Sequence, residues 1–299
     1  MITNMTTKLR IGSRESELAV AQTNLVIQAI RKQHPEIEIE LLTWKTTGDK
    51  ILNKTLDKIG GKGLFVKELD QALRDGKIDL AVHSLKDVPM EENPQLPLIA
   101  FPRRGDARDV LVLREQFTEE AKVSCIGTSS FRRRIQIAKL YPQAEIKSVR
   151  GNIRTRLQKL DGGEYDTLIL AAAGLLRNGL GERICRYFDP SEVLPAAGQG
   201  ILGVQARADF PRELLAGVND ADTEAAALAE RGFVRYLNGG CSSPVAAYAE
   251  VKGNEIYLRG LYYKEEDGSY EIGHLTGDRK DAVGLGVRLA EQMQKKYRL

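Results

Sequence analysis

The residue types best suited to chemistry in this chain sit in four short stretches. In AVHSLKDVP, residues 81–89, an apolar run ends and yields Ser84, Lys86 and Asp87 before Pro89 stops further pairing. A carboxylate placed there can exchange protons with a substrate or stabilise a developing cation, and Lys86 beside it can bind an anion; a polar turn that merely caps a strand would read the same way. GTSSFRRR, residues 127–134, puts Thr128, Ser129 and Ser130 at the start of a helix and Arg132 and Arg133 in its first turn. Unpaired backbone N–H groups, hydroxyls and guanidinium forks suit a carboxylate or phosphate. The helix dipole disfavours cations at that end, so their presence points to binding more than to stability. KSVRGNIRTR, residues 147–156, adds Arg150, Arg154 and Arg156. Finally, LNGGCSSPVAAYA, residues 237–249, sets Cys241 after two glycines among small residues. The cysteines, Cys125, Cys185 and Cys241, are widely spaced without a CxxC pair, so Cys241 reads as a lone thiol, buried and inert or chemically employed.

Other chemistries find no support. The three histidines, His34, His83 and His274, have no ligand-like spacing, and neither a metal site nor a histidine-based triad is expected. GGKGLF, residues 60–65, is glycine-rich and carries Lys62, but it is no phosphate-binding GxxxxGK[ST] loop. The net charge of +3 is too small to mark the whole chain as a nucleic-acid binder. The basic residues gather between 101 and 156, which suits a compact polyanion or a solvated face, and KSVRGNIRTR lacks the aromatic residues that would stack on bases. No run approaches the roughly 20 apolar residues of a membrane span, and MITNMTTKLRIGS lacks the apolar core of a signal peptide, so a cytoplasmic protein with no membrane partner is expected.

The elements that must position these residues follow from periodicity. KLRIGS, IEIELLTW and IDLAVHS read as strands. ESELAVAQTNLVIQAIRKQ is a helix with apolar positions at Leu18, Leu25, Val26 and Ala29, and FVKELDQALRDGK is a second helix. After PLIAFPRRGDARD, read as a hinge, the grammar restarts: VLVL as strand, SFRRRIQIAKLY as helix, AEIKSV as strand, NIRTRLQKLD as helix and DTLILAAAGL as strand. ILGVQAR is expected to return to the first lobe. A helix ending near Cys241, three strand candidates and a terminal helix complete a small α+β domain. The fold expected is α/β, with two similar lobes of the periplasmic-binding-protein type joined by a hinge: 1–100 with 200–218, then 101–199, and a C-terminal α+β domain, 219–299. That architecture also suits a ligand-binding module, but such a module has no use for Cys241.

KGLFVKELDQAL, AVHSLKDVP, GTSSFRRR, VRGNIRTRLQKLD and LNGGCSSPVAAYA, in this order over nearly the whole chain, closely resemble the porphobilinogen deaminase family. The resemblance implies that four porphobilinogen molecules are joined head to tail on a dipyrromethane cofactor bound through a thioether to Cys241, and that hydroxymethylbilane is then released by hydrolysis, a step of tetrapyrrole synthesis. It makes Asp87 the catalytic carboxylate. Ser84, Lys86, Asp87, Thr128, Ser129, Ser130, Arg132, Arg133 and Arg156 become cofactor-binding, and Arg14, Gln22, Lys58, Lys62, Arg150 and Arg177 become substrate-binding. The acetate and propionate on every pyrrole would explain the arginines. The resemblance further implies a monomer with a small-molecule substrate. Glu17 stands where the family commonly has proline.

Overall fold

A computed structural model describes residues 8–46, 63, 66–91, 93–115, 123–239 and 243–297. Along the chain run β1 (Lys8–Arg14), α1 (Glu17–Gln33), β2 (Glu38–Trp44), α2 (Lys67–Arg74), β3 (Leu80–Ser84), β4 (Leu98–Ala100), β5 (Asp109–Leu113), β6 (Cys125–Gly127), α3 (Phe131–Leu140), β7 (Glu145–Lys147), α4 (Ile153–Asp161), β8 (Thr167–Ala171) and α5 (Ala172–Arg177). There follow β9 (Arg186–Tyr187), β10 (Leu202–Ala206), α6 (Ala221–Tyr236), β11 (Ala246–Lys252), β12 (Glu255–Tyr263), β13 (Tyr270–Asp278) and α7 (Ala282–Tyr297). The chain divides into two compact units, residues 1–104 with 201–224 and residues 105–200 with 225–299.

In the first unit the strand order is β2-β1-β3-β10-β4. β1 runs parallel to β2 and β3, while β10 is antiparallel to β3 and β4. Successive side chains of a strand point to opposite faces. Leu80 and Val82 of β3 therefore join Leu9, Ile11, Val26, Ile27 and Ile30 on one side of the sheet, and Ala81 joins Leu69, Leu73 and Ile78 on the other. α1 starts where the Ser16 hydroxyl accepts a hydrogen bond from Ala19 N at 3.4 Å, with Glu17 in the first turn. That cap, together with an acidic residue favoured by the dipole, starts the helix without a proline.

The second unit repeats the pattern with the order β7-β6-β8-β5-β9: three parallel strands, then an antiparallel β5 and an antiparallel edge strand, β9. In each sheet the fourth place is taken by a strand from outside the local β–α run, β10 in one and β5 in the other. β10 does return to β3, as its position after the second lobe implied. β4, inside the stretch read as a hinge, and the short β9 are strands that the sequence reading does not include, and one further element differs in kind. DTLILAAAGL is not strand throughout: β8 stops at Ala171, where its pairing with β5 ends at Asp109, and Ala172–Arg177 wind into α5. Alanine and leucine are strong helix formers once no partner strand constrains them.

The same unit contains the antiparallel sheet β11-β12-β13, with Ile256, Leu258, Phe233, Leu285 and Leu289 buried between it and helices α6 and α7. The two helices approach backbone to backbone. A Cβ on Gly232 would lie 2.8 Å from Val283 O, and one on Gly286 would lie 2.6 Å from Phe233 N and meet Ala229 O as well. Neither backbone can yield as a side chain would. Gly286→Ala is therefore expected to lower unfolding free energy by about 3 kcal/mol, the upper range for overpacking, read as a shift of the denaturant midpoint.

Candidate functional site

The first unit gathers Arg14, Gln22, Ser84, Lys86 and Asp87. Arg14 ends β1, and Ser84 ends its neighbour β3. Gln22, buried on α1, pairs its amide with the Ser84 hydroxyl, Nε2 to Oγ at 2.9 Å and Oγ to Oε1 at 3.0 Å. A 3₁₀ turn, Leu85–Asp87, continues from the strand and is held at both ends: Leu85 N donates to Ile201 O at 3.0 Å and Val88 N to Leu85 O at 3.1 Å. Lys86 and Asp87 are half-buried in that turn. Among the described residues no hydrogen bond or ion pair engages the Asp87 carboxylate, so an anchored backbone presents an acid whose oxygens are not spent on structure.

Behind this turn lies His83, 5% exposed, with Nε2 3.0 Å from Gln205 Oε1. Gln205 Nε2 donates to Leu96 O at 2.9 Å, which assigns Oε1 as acceptor and places the His83 proton on Nε2. Burial, assisted by the charge of Arg14 and opposed by the Gln205 bond, lowers the His83 pKa to about 4. His83 is thus a neutral support of the strand that ends in the site.

The second unit carries the anion-directed groups. Thr128 N donates to Lys147 O at 2.8 Å, and the Ser129 hydroxyl donates to Val149 O at 2.6 Å, which ties the chain after β6 to the end of β7 and the segment that follows it. Ser130 caps α3 through Arg133 N at 3.4 Å, and Asn152 caps α4 through Thr155 N at 2.9 Å. Both helix starts stand at the carboxyl ends of parallel strands, where open α/β sheets receive ligands. Arg150 and Arg156 flank the second cap, Arg156 Nε donating to Gly151 O at 2.8 Å.

Arg132 and Arg133 are 4% and 7% exposed and meet at a carboxylate the sequence did not single out, that of Asp109, fully buried at the head of β5. Arg132 Nη1 donates to Asp109 Oδ2 at 2.6 Å and to Leu194 O at 2.7 Å. Arg133 Nε donates to Asp109 Oδ1 at 2.9 Å, and its Nη1 donates to Ile169 O at 3.1 Å. Gln199 Nε2 is a further donor to the same carboxylate, reaching Oδ1 at 2.9 Å. Burial alone would raise the Asp109 pKa; the attraction of both arginines outweighs it and holds the carboxyl well below the usual range. Asp109 and Gln199 carried no local signal, since an acid beginning an apolar strand and a glutamine between glycines look ordinary until the fold brings them to two buried cations.

Arg177, at the end of α5, differs. Its Nη2 donates to Gly200 O at 2.6 Å, and among the described residues no carboxylate pairs with it. Burial alone lowers its pKa to about 10, so it remains a cation at neutral pH, partly stripped of water and short of a counter-charge.

The remaining predicted residues, Cys241, Lys58 and Lys62, lie outside the described residues. The approaches to the first are described. α6 ends at Tyr236, and Asn238 takes a left-handed φ of 52°, a conformation asparagine tolerates, which turns the chain out of the helix. On α6, fully buried Glu230 accepts from Gly198 N at 2.7 Å through Oε2 and from Ala249 N at 2.8 Å through Oε1. Both flanks of residues 240–242, α6 and β11, are thereby fixed to the segment that holds Gln199. Of the other thiols, Cys125 has its pKa raised by burial and Cys185 is exposed; both are free. Among the described residues no cluster of metal-ligating side chains occurs, and no helix is long and apolar enough to cross a membrane.

The second unit carries arginines and capped helix starts at the carboxyl ends of parallel strands, and the first carries an acid that is unengaged among the described residues at a strand end; these groups define an α/β protein suited to a small polyanion. Comparison with known proteins gives the particular kind. Residues 9–213 match the porphobilinogen deaminase, dipyromethane cofactor binding domain, and residues 225–295 match the porphobilinogen deaminase, C-terminal domain. Proteins named porphobilinogen deaminase are 54% identical in Acetivibrio thermocellus, over 96% of this chain and 98% of that one, and 53% identical in Alkaliphilus oremlandii, over 96% and 97%. The chain belongs to the porphobilinogen deaminase family. Among solved structures, the periplasmic aliphatic sulphonate binding protein from Escherichia coli is 15% identical, over 78% of this chain and 71% of that one, with a TM-score of 0.42. A substrate binding domain from Streptococcus pneumoniae is 14% identical, over 71% and 90%, with a TM-score of 0.45.

The family's cofactor is a dipyrromethane, which bears several carboxylates, and the donor set fits it. The Arg132–Arg133 pair shares one carboxylate and so keeps an excess positive charge, and Arg177 has no carboxylate at all among the described residues.

The buried histidine sets a pH dependence. The folded state keeps His83 unprotonated down to about pH 4, while the unfolded chain takes up a proton near pH 6.5. The contribution is fully present above pH 6.5 and is lost as pH falls toward 4. Between pH 7 and pH 5 unfolding free energy is expected to fall by about 2 kcal/mol from this residue. Denaturant unfolding of His83→Gln should show a correspondingly shallower slope over that interval.

Proposed function

We propose that this chain is a porphobilinogen deaminase, or hydroxymethylbilane synthase, which joins four porphobilinogen molecules on a dipyrromethane primer tethered through Cys241 and releases hydroxymethylbilane. Family membership over both matched segments carries this reading, and the unengaged carboxylate of Asp87 is the structural feature that agrees with it best. The dipyrromethane, when bound, supplies a pyrrole α-carbon as the nucleophile. The work of the chain's own residues is proton transfer and charge balance.

Asp87 gives its proton to the leaving amine of porphobilinogen, and the carboxylate left behind stabilises positive charge as it develops on the pyrrole nitrogen. Its turn is fixed by Ile201 and its neighbour Ser84 by Gln22, so the acid is oriented before substrate arrives. Gln22 on this account acts by orienting Ser84. Arg14, Lys86, Lys58 and Lys62 hold acetate and propionate groups on the first unit. On the second, Thr128, Ser129, Ser130, Arg132, Arg133 and Arg156 hold the primer, while Arg150 and Arg177 hold the added pyrroles. Residues 1–100 with 200–218, 101–199 and 219–299 serve as three functional parts, the last bearing the tether. The C-terminal part has its own three-stranded sheet, which favours counting it separately although its residues 225–299 fall in one compact unit with residues 105–200. The proposal extends to a cytoplasmic monomer acting on a small molecule, without nucleic acid or membrane; a net charge of only +3 favours the absence of nucleic acid.

Two measurements test the reading. The intact protein should exceed its sequence mass by one dipyrromethane, Cys241→Ala should lack that increment, and Asp87→Asn should fold yet release ammonia from porphobilinogen roughly 10²- to 10³-fold more slowly, the cost of removing preorganised charge. A wild-type protein without the adduct, or an Asp87→Asn variant with normal turnover, overturns it. Separately, Arg177→Leu should retain the adduct and raise the porphobilinogen concentration needed for half-maximal rate at least tenfold, since a buried cation loses its anion there.

A further inference from the structure

We infer that Asp109 is a positioning residue, which orients the guanidinium groups of Arg132 and Arg133 for the carboxylates of the dipyrromethane; the inference rests on the function proposed above. Three observations converge on it. First, Asp109 is fully buried at the head of β5, and both its oxygens are used: Oδ2 by Arg132 Nη1 at 2.6 Å, Oδ1 by Arg133 Nε at 2.9 Å and Gln199 Nε2 at 2.9 Å. A carboxylate bridging two adjacent arginines fixes each fork relative to the other, which no single backbone acceptor can do.

Second, the remaining contacts lock the forks from behind. Leu194 O takes Arg132 Nη1 at 2.7 Å, and Ile169 O takes Arg133 Nη1 at 3.1 Å. Gln199 is itself held through Ala107 O at 2.7 Å. Every side-chain hydrogen bond of Arg132 among the described residues falls on Nη1, so the Nε–Nη2 edge retains donors. Third, the charges do not balance. Two guanidinium groups face one carboxylate, and the excess cation lies in the first turn of α3, where the backbone N–H groups also favour an anion. A cluster meant only to staple β5 to α3 would be more stable as one arginine with one acid, because an uncompensated buried charge is costly.

The alternatives make opposite forecasts. If Asp109 only moderated positive charge, neutralising it would draw the anionic group in faster. If it only stapled the fold, cofactor loading would track the amount of folded protein. A positioning role requires slower loading per folded molecule. Apo-protein prepared without the cofactor precursor is mixed with porphobilinogen, the adduct is followed by intact mass, and the folded fraction is taken from near-ultraviolet circular dichroism. Asp109→Asn is expected to load at least tenfold more slowly per folded molecule than wild type, and Asp109→Glu to recover most of the rate. Equal or faster loading by Asp109→Asn, or no recovery by Asp109→Glu, overturns the inference. Should Asp109→Asn not fold, Gln199→Leu keeps both ion pairs but removes the brace on Oδ1, and should load several-fold more slowly; a wild-type rate there overturns the inference equally. A wild type that acquires no adduct would instead sink the functional proposal.

Discussion

Two arginines share one carboxylate almost out of reach of water. Desolvation makes each of these charges expensive, and the arrangement holds because attraction inside the protein is strong enough to keep Asp109 ionised far below its ordinary range. Most of the second unit is arranged around that requirement. β5 must lie beside β8 so that Asp109 reaches α3, and the first turn of α3 must face it. The segment before β10 must pass close by, because Leu194 and Gln199 complete the hydrogen bonding.

The frame continues past the cluster. Gly198, next to Gln199, donates to Glu230, and Glu230 also takes Ala249 N, so the helix and the strand that flank residues 240–242 are joined to the segment that braces the arginine pair. Within one compact unit, the helix and strand on either side of the proposed tether are linked through buried polar contacts and the short Gly198–Gln199 step to the groups proposed to hold the cofactor's carboxylates. Buried polar networks of this kind are favourable only when every member is satisfied, and here the carboxylates of Asp109 and Glu230 each use both oxygens.

Local rules explain the smaller parts. Ser16, Ser130 and Asn152 each sit where a helix begins after a parallel strand, and each supplies the oxygen that the first turn lacks. The result in both sheets is a row of helix starts at the carboxyl ends of strands. Short polar motifs such as SSFRRR and SLKD occur there because the strand has ended and the chain is free to present side chains to a ligand.

By itself the sequence determined the order and kind of nearly all elements, since apolar alternation, amphipathic spacing and capping residues act over a few positions and stay visible in one dimension. Asp87, Cys241 and the arginines were legible for the same reason: each lies in a short motif whose residue types suggest acid, thiol or anion chemistry, and whose sequence matches a known family. Tertiary structure alone decided which of these residues are spent on one another. That Arg132 and Arg133 are bound to an aspartate 23 and 24 residues earlier, that Gln22 holds Ser84 across 62 residues, and that AAGLLR becomes helix once β8 runs out of partner could not be read from local pattern. The physical reason is that a buried charge or hydroxyl must be satisfied by whatever group the fold brings within about 3 Å, and that distance is set by the packing of sheets and helices rather than by spacing along the chain.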